Sequence, residues 1–358
     1  MMDLDNEQEL KSLDPGKVAE SIESFPVQVK QAWDEIKNIN LPKDYSDAKN
    51  IVVSGMGGST LGVDILRNLF KESLRIPLVI NNHYQLPAFV NQDTLVLLLS
   101  YSGGTEEVVA AANDAKERGA KILGIAEGGS LGDFLTQNNY PLYLFKPLAN
   151  PSNQPRLGLG YTFVGTLAFL AKLGFLTVSE EEITETISFL AEISKGFVAG
   201  AAKNTNQAKM VAEKLVGRQV FIVGSEFLSG NAHVFANQTN ENSKNLATYF
   251  IIPELNHHLL EGLNKPDQIG QGLVFVFLES NFYSDKIKKR ITITKEVLNQ
   301  QKIPTVGLTL RGATKLSQTL EGVVLSSWIT FYLGALNGVD ASKIPWVDYF
   351  KKKLSEGG

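Results

Sequence analysis

Leu95-Val-Leu-Leu-Leu-Ser-Tyr-Ser-Gly-Gly-Thr-Glu-Glu-Val-Val109 decides the fold class. Its leading apolar run, Leu95 to Leu99, reads as a strand buried on both faces, because a run without alternation leaves no polar side for water. Ser100 to Thr105 form a hydroxyl- and glycine-rich turn, and Glu106, Glu107 and the alanine-rich run behind them open a helix. Such a helix start presents unpaired backbone N–H groups at the positive end of its dipole, and Ser100, Ser102 and Thr105 add hydroxyl donors around it. The matching guest is a phosphate monoester. Ser, Gly and Thr also cap ordinary helices, so this stretch alone leaves a plain N-cap open.

A second stretch, Ile51-Val-Val-Ser-Gly-Met-Gly-Gly-Ser-Thr60, repeats the plan one strand and one helix earlier, with a helical pattern from Leu61 to Phe70. Gly57, Gly58 and Ser59 are its candidate anion contacts. The spacing after Gly55 is G-x-G-G-S rather than G-x-G-x-x-G, and no acidic residue ends a following strand where a ribose would need one. No Lys follows the glycines, which excludes a P-loop. Two such turns at strand ends without a nucleotide signature point to a small phosphorylated ligand.

Outward from these turns the chain alternates. Residues before Ile51 read as helical, with Val18, Ile22, Phe25, Val29, Ala32, Trp33 and Ile36 on one apolar face and a break at Pro26. Strands are expected at 51–54, 78–81, 95–100, 121–126 and 141–145, with helices at 61–70, 106–118 and 131–137. After a mostly helical stretch, 179–216, the alternation resumes: strands at 219–223, 249–252, 273–279 and 305–309, helices at 228–240, 285–299 and 318–336. Near-continuous apolar strands between helices mean parallel sheets covered on both faces. The fold class is therefore α/β, two doubly wound parallel-sheet domains in tandem with flanking helices. The expected boundaries are a helical segment 1–45, a phosphate-binding domain 46–176, a helical linker 177–200, and a second domain 201–358 ending in a C-terminal helix. Ile51–Gly55 has a counterpart in Val220–Gly224, an offset of 169 residues between the two glycines. In the second copy the glycine is followed by Ser225-Glu226-Phe227, and no S-x-S-G follows its third strand. One half should hold the phosphate and the other supply different groups.

Composition narrows the classes of partner. The 358 residues carry 34 basic and 38 acidic side chains, with no long charge run, so there is no footprint for nucleic acid. The absence of cysteine excludes disulfides, thiolate metal sites and a cysteine nucleophile. The N-terminal MMDLDNEQELKSLD resembles neither a signal nor a transit peptide, and no apolar run was expected to reach membrane-spanning length. A cytoplasmic protein is the expectation.

Few groups are left for chemistry. Of the four histidines, His83 and His233 read as structural or surface residues, while the adjacent pair His257 and His258 follows a strand end, where ligands of parallel sheets sit. Neighbours in sequence point different ways, so one of them at most reaches a site. Glu241 lies in NQTNENSKN, a stretch read as too polar for the core and directly after a helix; a solvated helix end is its alternative. Arg156, beside a proline turn in NPSNQPRLGLGY, and Lys351, in a terminal KKKL run, have equally plain surface readings.

The turns GMGGS and SYSGGTEE resemble the sugar isomerase (SIS) domain. The stretches NENSK, PELNHHLLEG, QPR and IPWVDYFKKKL narrow the resemblance to the bifunctional phosphoglucose/phosphomannose isomerases, from about Phe25 to the C-terminus. That family's second turn usually reads SGNTEE, so Gly104 replaces an Asn here. The resemblance implies a metal- and cofactor-free enzyme that interconverts glucose 6-phosphate and fructose 6-phosphate, with mannose 6-phosphate as a further substrate. It assigns Glu241 to proton transfer between C1 and C2, His257 to the catalytic histidine, Arg156 to the enediolate and Lys351 to the ring oxygen. It gives the phosphate to Gly57, Gly58, Ser59, Ser100, Ser102 and Thr105. It also implies a homodimer with His257 contributed across the interface. A carboxylate suits the shuttle when burial raises its pKa, and a fixed guanidinium suits the developing oxyanion. Ile344 and Trp346 stand where other members differ, in a region that approaches the sugar, which bears on use of the C2 epimer. The alternatives are an amino-sugar-phosphate isomerase or deaminase on the same scaffold, and a non-catalytic sugar-phosphate sensor, for which a basic DNA-binding helix pair is missing.

Overall fold

Three amphipathic helices come first in the computed structural model, which describes residues 2–356: α1 (Glu7–Ser12), α2 (Val18–Glu23) and α3 (Phe25–Ile36). Ser24 separates the last two, and Pro26 sits in the first turn of α3, where its missing N–H leaves no bond unmade. Phe25, Val29, Ala32, Trp33 and Ile36 are buried, as their helical spacing predicts.

The first sheet is built from β1 (Asn50–Gly55), α4 (Gly58–Leu69), β2 (Leu78–Asn81), β3 (Thr94–Ser100), α5 (Glu106–Glu117), β4 (Lys121–Ala126), α6 (Gly129–Gln137), β5 (Leu142–Leu144) and α7 (Leu159–Lys172). Its order is β2-β1-β3-β4-β5, with every neighbouring pair parallel. All seven residues of β3 are buried, as a central strand requires. The order reverses between β1 and β3, so the two glycine turns meet at the crevice where doubly wound sheets hold ligands.

The second half contains α8 (Glu180–Ser194), α9 (Gln207–Leu215), β6 (Gln219–Ser225), α10 (Ser229–Ser243), β7 (Ala247–Ile252), α11 (Leu255–His258), α12 (Ile269–Gly272), β8 (Leu273–Glu279), α13 (Asp285–Gln300), β9 (Thr305–Thr309), α14 (Lys315–Leu336) and α15 (Pro345–Glu356). Its parallel sheet runs β7-β6-β8-β9, so β6 is the counterpart of β1 and the glycine pair marks a repeat of topology. The halves meet helix on helix: a Cβ on Gly230 of α10 would lie 2.5 Å from the Ile65 Cα of α4, so only glycine permits that crossing.

Two expectations need correcting. The NQTNENS stretch does not follow the helix but belongs to it: α10 runs through to Ser243, and Gln238, Thr239, Asn242 and Ser243 are fully buried while Asn240 stays exposed. Polarity there reflects an internal hydrogen-bond network, which satisfies the buried groups. Secondly, α14 is long and apolar enough to cross a membrane, yet 94% of that window lies inside the molecule. It is apolar all round because protein surrounds it, and a Thr314/Ser317 capping box closes its start.

Candidate functional site

The turn after β1 leads into α4 through Gly57 at φ +50, and no side chain caps the helix. Ser59, buried, accepts the Tyr101 N–H at 3.0 Å and so ties this turn to the one after β3. There Ser100 and Thr105 pair hydroxyl to hydroxyl at 2.8 Å, which takes the Thr105 oxygen away from the capping bond it would otherwise make. Two helix starts therefore face one crevice with their first amides uncapped by side chains. Gly103, at φ +72, has the Gly128 carbonyl 1.6 Å from where a Cβ would stand, so this turn tolerates glycine alone. Gly104 is exposed with open space around it, and an Asn would fit there. Ser102 is exposed and accepts the Gly104 N–H at 3.4 Å.

Arg156 enters from the loop before α7. A Cβ on Gly58 would stand 2.9 Å from the Arg156 N, and one on Gly158 would strike the Tyr101 ring at 2.2 Å, so both phosphate turns press on the arginine's own turn. The side chain is 1% exposed. Its Nε donates to Asn242 Oδ1 (2.6 Å), Nη1 to Gln154 Oε1 (2.8 Å) and Glu241 Oε2 (3.2 Å), and Nη2 to the carbonyls of Ala341 (2.7 Å) and Ser342 (3.2 Å). Every donor of the guanidinium is thereby engaged. Burial pulls its pKa down, opposed by the charges of Glu241 and Asp340, and an arginine stays cationic regardless. Among its partners only Glu241 is a mobile, partly exposed carboxylate, at 32%.

Asn242, Gln154 and Gln238 escaped the sequence reading. Asn242 also donates to Thr330 Oγ1 at 3.0 Å, and Gln238 holds the Arg156 carbonyl at 3.3 Å. The one available signal was the polar run ending a helix, where buried amides look the same in sequence as solvated ones.

The other two expected residues stand apart. The Asn240 side chain pairs with both backbone groups of Ala247, the first residue of β7, which places Glu241 at the start of that strand. His257 lies in α11, exposed, past the opposite end of β7. Lys351 is exposed on α15, three residues from Asp348, whose charge is felt at Arg156. Among the described residues no cluster of three His, Asp or Glu side chains is arranged to hold a metal ion.

Two family models match, the SIS domain at residues 44–139 and the bacterial phospho-glucose isomerase C-terminal SIS domain at 204–354. A bifunctional phosphoglucose/phosphomannose isomerase of Caldicellulosiruptor bescii is 31% identical over 94% of this chain and 98% of its own. The chain belongs to the bifunctional phosphoglucose/phosphomannose isomerase family. It is an isomerase. A second member, from Aquifex aeolicus, is 28% identical over 90% of this chain and 94% of its own. A hypothetical protein of Thermus thermophilus shares the fold, with a TM-score of 0.73 at 17% identity over 98% of this chain and 94% of that one. Hydrogen bonds and close backbone approaches tie Gly58, Ser59, Ser100, Thr105, Arg156 and Glu241 into one neighbourhood, while Ser102, His257 and Lys351 are exposed.

Proposed function

We propose that the chain interconverts glucose 6-phosphate and fructose 6-phosphate, and mannose 6-phosphate as well, by proton transfer through Glu241 without a metal. The observation that carries this reading is the 3.2 Å contact between the Glu241 carboxylate and the buried Arg156, at the mouth of the two phosphate turns. The uncapped helix starts and Ser59, Ser100, Ser102 and Thr105 hold the 6-phosphate, and the sugar chain then runs along Arg156 toward the carboxylate. The carboxylate takes the proton from one of C1 and C2 and returns it to the other. The Nη1 proton directed at Glu241 is the one guanidinium donor held by a carboxylate rather than by an amide or carbonyl, and it is the one that turns to the enediolate oxygen. Preorganised charge of this kind serves the oxyanion directly.

His257 reaches this site from a second copy of the chain. Two features support that arrangement: its place past the opposite end of β7 from Glu241 within one chain, and the apolar stripe Trp346, Val347, Phe350 and Leu354 that α15 presents outward. Lys351 then serves ring opening from the same helix.

The deciding experiment is fructose 6-phosphate turnover in EDTA by the parent, Glu241→Gln and His257→Ala, with glucose and mannose 6-phosphates read separately. Turnover that survives chelation and collapses in Glu241→Gln is expected. Mixing Glu241→Gln with His257→Ala should restore part of the activity through dimers that carry one intact site. Tight binding without turnover by the parent would overturn the reading.

A further inference from the structure

Lys244 closes α10 with φ +52 and ψ +33, a left-handed conformation that costs an L side chain energy and that helix ends ordinarily give to glycine. Lys17 and Lys302 share this backbone conformation, so what distinguishes Lys244 is what its side chain holds. Its Nζ donates to the carbonyl of Glu241 at 3.0 Å and to that of Asp340 at 2.7 Å. The next two carbonyls, of Ala341 and Ser342, are held by Arg156. Three successive carbonyls are thus gripped by two cations from opposite domains. The segment is also pinned internally, Ser342 donating its N–H and hydroxyl to Asp340 Oδ1 at 2.8 and 2.6 Å, and a Cβ on Gly16 would strike Ser342 at 2.3 Å.

Three residues further on, α15 begins, and Pro345 through Leu354 are all exposed. The gripped segment is the chain's lead into this helix. We propose that Lys244 is a positioning residue for the reaction: it ties the end of the Glu241 helix to the root of α15 and so sets where Lys351 stands relative to Glu241. The proposal rests on the isomerase reading above for Lys351, but the clamp itself does not. The charged groups facing the ammonium are Arg156 from the first domain, Glu241 on its own helix and Asp340 on the gripped segment. Burial first, and the Arg156 charge next, push it down to about 8, against the pull of Asp340 and Glu241. The residue as a whole is exposed, so this shift speaks for the ammonium end alone.

Lys244→Gly separates fold from function, because glycine relieves the left-handed backbone while removing the grip. Its melting temperature should equal or exceed the parent's, whereas kcat/KM should fall about 10- to 100-fold, the scale of a misplaced catalytic group. In a double-mutant cycle, Lys244→Gly should add almost nothing once Lys351→Ala is present, and Lys244→Arg should recover most of the loss. By hydrogen exchange, amides of 343–350 should exchange faster in Lys244→Gly than in the parent, whatever the turnover of either. Unchanged exchange there would refute the clamp even if the parent proved inactive. Unchanged kcat/KM, or a loss that adds fully to that of Lys351→Ala, would refute its role in positioning Lys351. Absence of turnover in the parent alone, with exchange accelerated in the variant, would strike the isomerase reading and leave the clamp standing.

Discussion

The two sheets share a strand order, yet their crevices hold opposite contents. After β1 and β3 the backbone turns away on glycines and leaves two uncapped helix starts facing the space between them. After β6, Glu226 at φ +45 swings its carboxylate onto the N-terminus of α13, where it accepts the Ser284 hydroxyl at 2.7 Å and the Ser284 N–H at 3.3 Å. Ser284 stands at the start of the helix after the third strand, as Thr105 does in the first domain. The second domain therefore fills with its own carboxylate the place that, in the proposed reading, the first offers to a phosphate. A repeated fold offers its anion site twice, and one side chain decides whether a copy keeps it. The second domain instead meets the first from its opposite edge: Glu241 at the far end of α10 reaches back to Arg156.

The strongest way to break this division of labour is Glu241→Gln. Loss of the base should lower kcat about 1,000-fold in the coupled turnover assay while sugar-phosphate binding persists, on the scale of general base removal. A variant that kept most of its kcat would place the proton transfer elsewhere. Arg156→Met should be nearly as damaging to rate, and it should also cost about 3–5 kcal/mol in urea unfolding, since it strands Asn242, Gln154 and two carbonyls in the interior. Ser102→Ala probes the first domain gently because the residue is exposed. KM for the sugar phosphate should rise about tenfold with kcat and melting temperature near the parent's, as expected for one hydrogen bond to a charged group.

Glu226→Gln sharpens the comparison from the other side. Turnover should match the parent, and stability should fall by about 1 kcal/mol as a charge-assisted bond becomes a neutral one. A KM shift like that of Ser102→Ala would mean that the second crevice also serves the substrate. The smallest effect expected is in acid. Burial pushes Asp64 of α4 up, but the hydrogen bond with His233 of α10 and the Arg67 charge outweigh it, and the carboxyl ends below its ordinary range. A carboxyl depressed in the folded state adds stability that is full above its unfolded pKa of about 3.9 and lost as pH falls through the lower folded value. Asp64→Asn should accordingly flatten the stability curve below about pH 4, and an unchanged curve would separate this inter-domain contact from acid stability.

Particular residues show how far the sequence could be read. Leu95–Leu99 and Lys121–Ala126 announced buried parallel strands because burial on both faces leaves no alternation. The glycines after β1 and β3 announced tight turns because backbone approach there excludes a Cβ. Glu241 and Arg156 were visible as polar singletons, and resemblance to a family supplied their roles. What pattern could not show is that Gln238, Thr239, Asn242 and Ser243 are interior. Lys209 gave no sign either, though its buried ammonium donates to Ala199, Ala201 and Asp5 and so ties the N-terminal segment to the second domain. Buried and solvated polar side chains share one composition, and their partners lie as far away as 204 residues in the chain.

By itself, then, the sequence determined two parallel α/β domains and the glycine turns of the first, since strand burial and turn geometry depend on neighbours a few residues apart. Only the tertiary structure decided that Arg156 would be saturated by both domains and meet Glu241, that Glu226 would fill the second crevice, and that His257 would stand past the opposite end of β7 from Glu241. Those outcomes depend on how helices α4 and α10 cross and where α14 sits, and contacts between distant segments leave no periodicity in the chain.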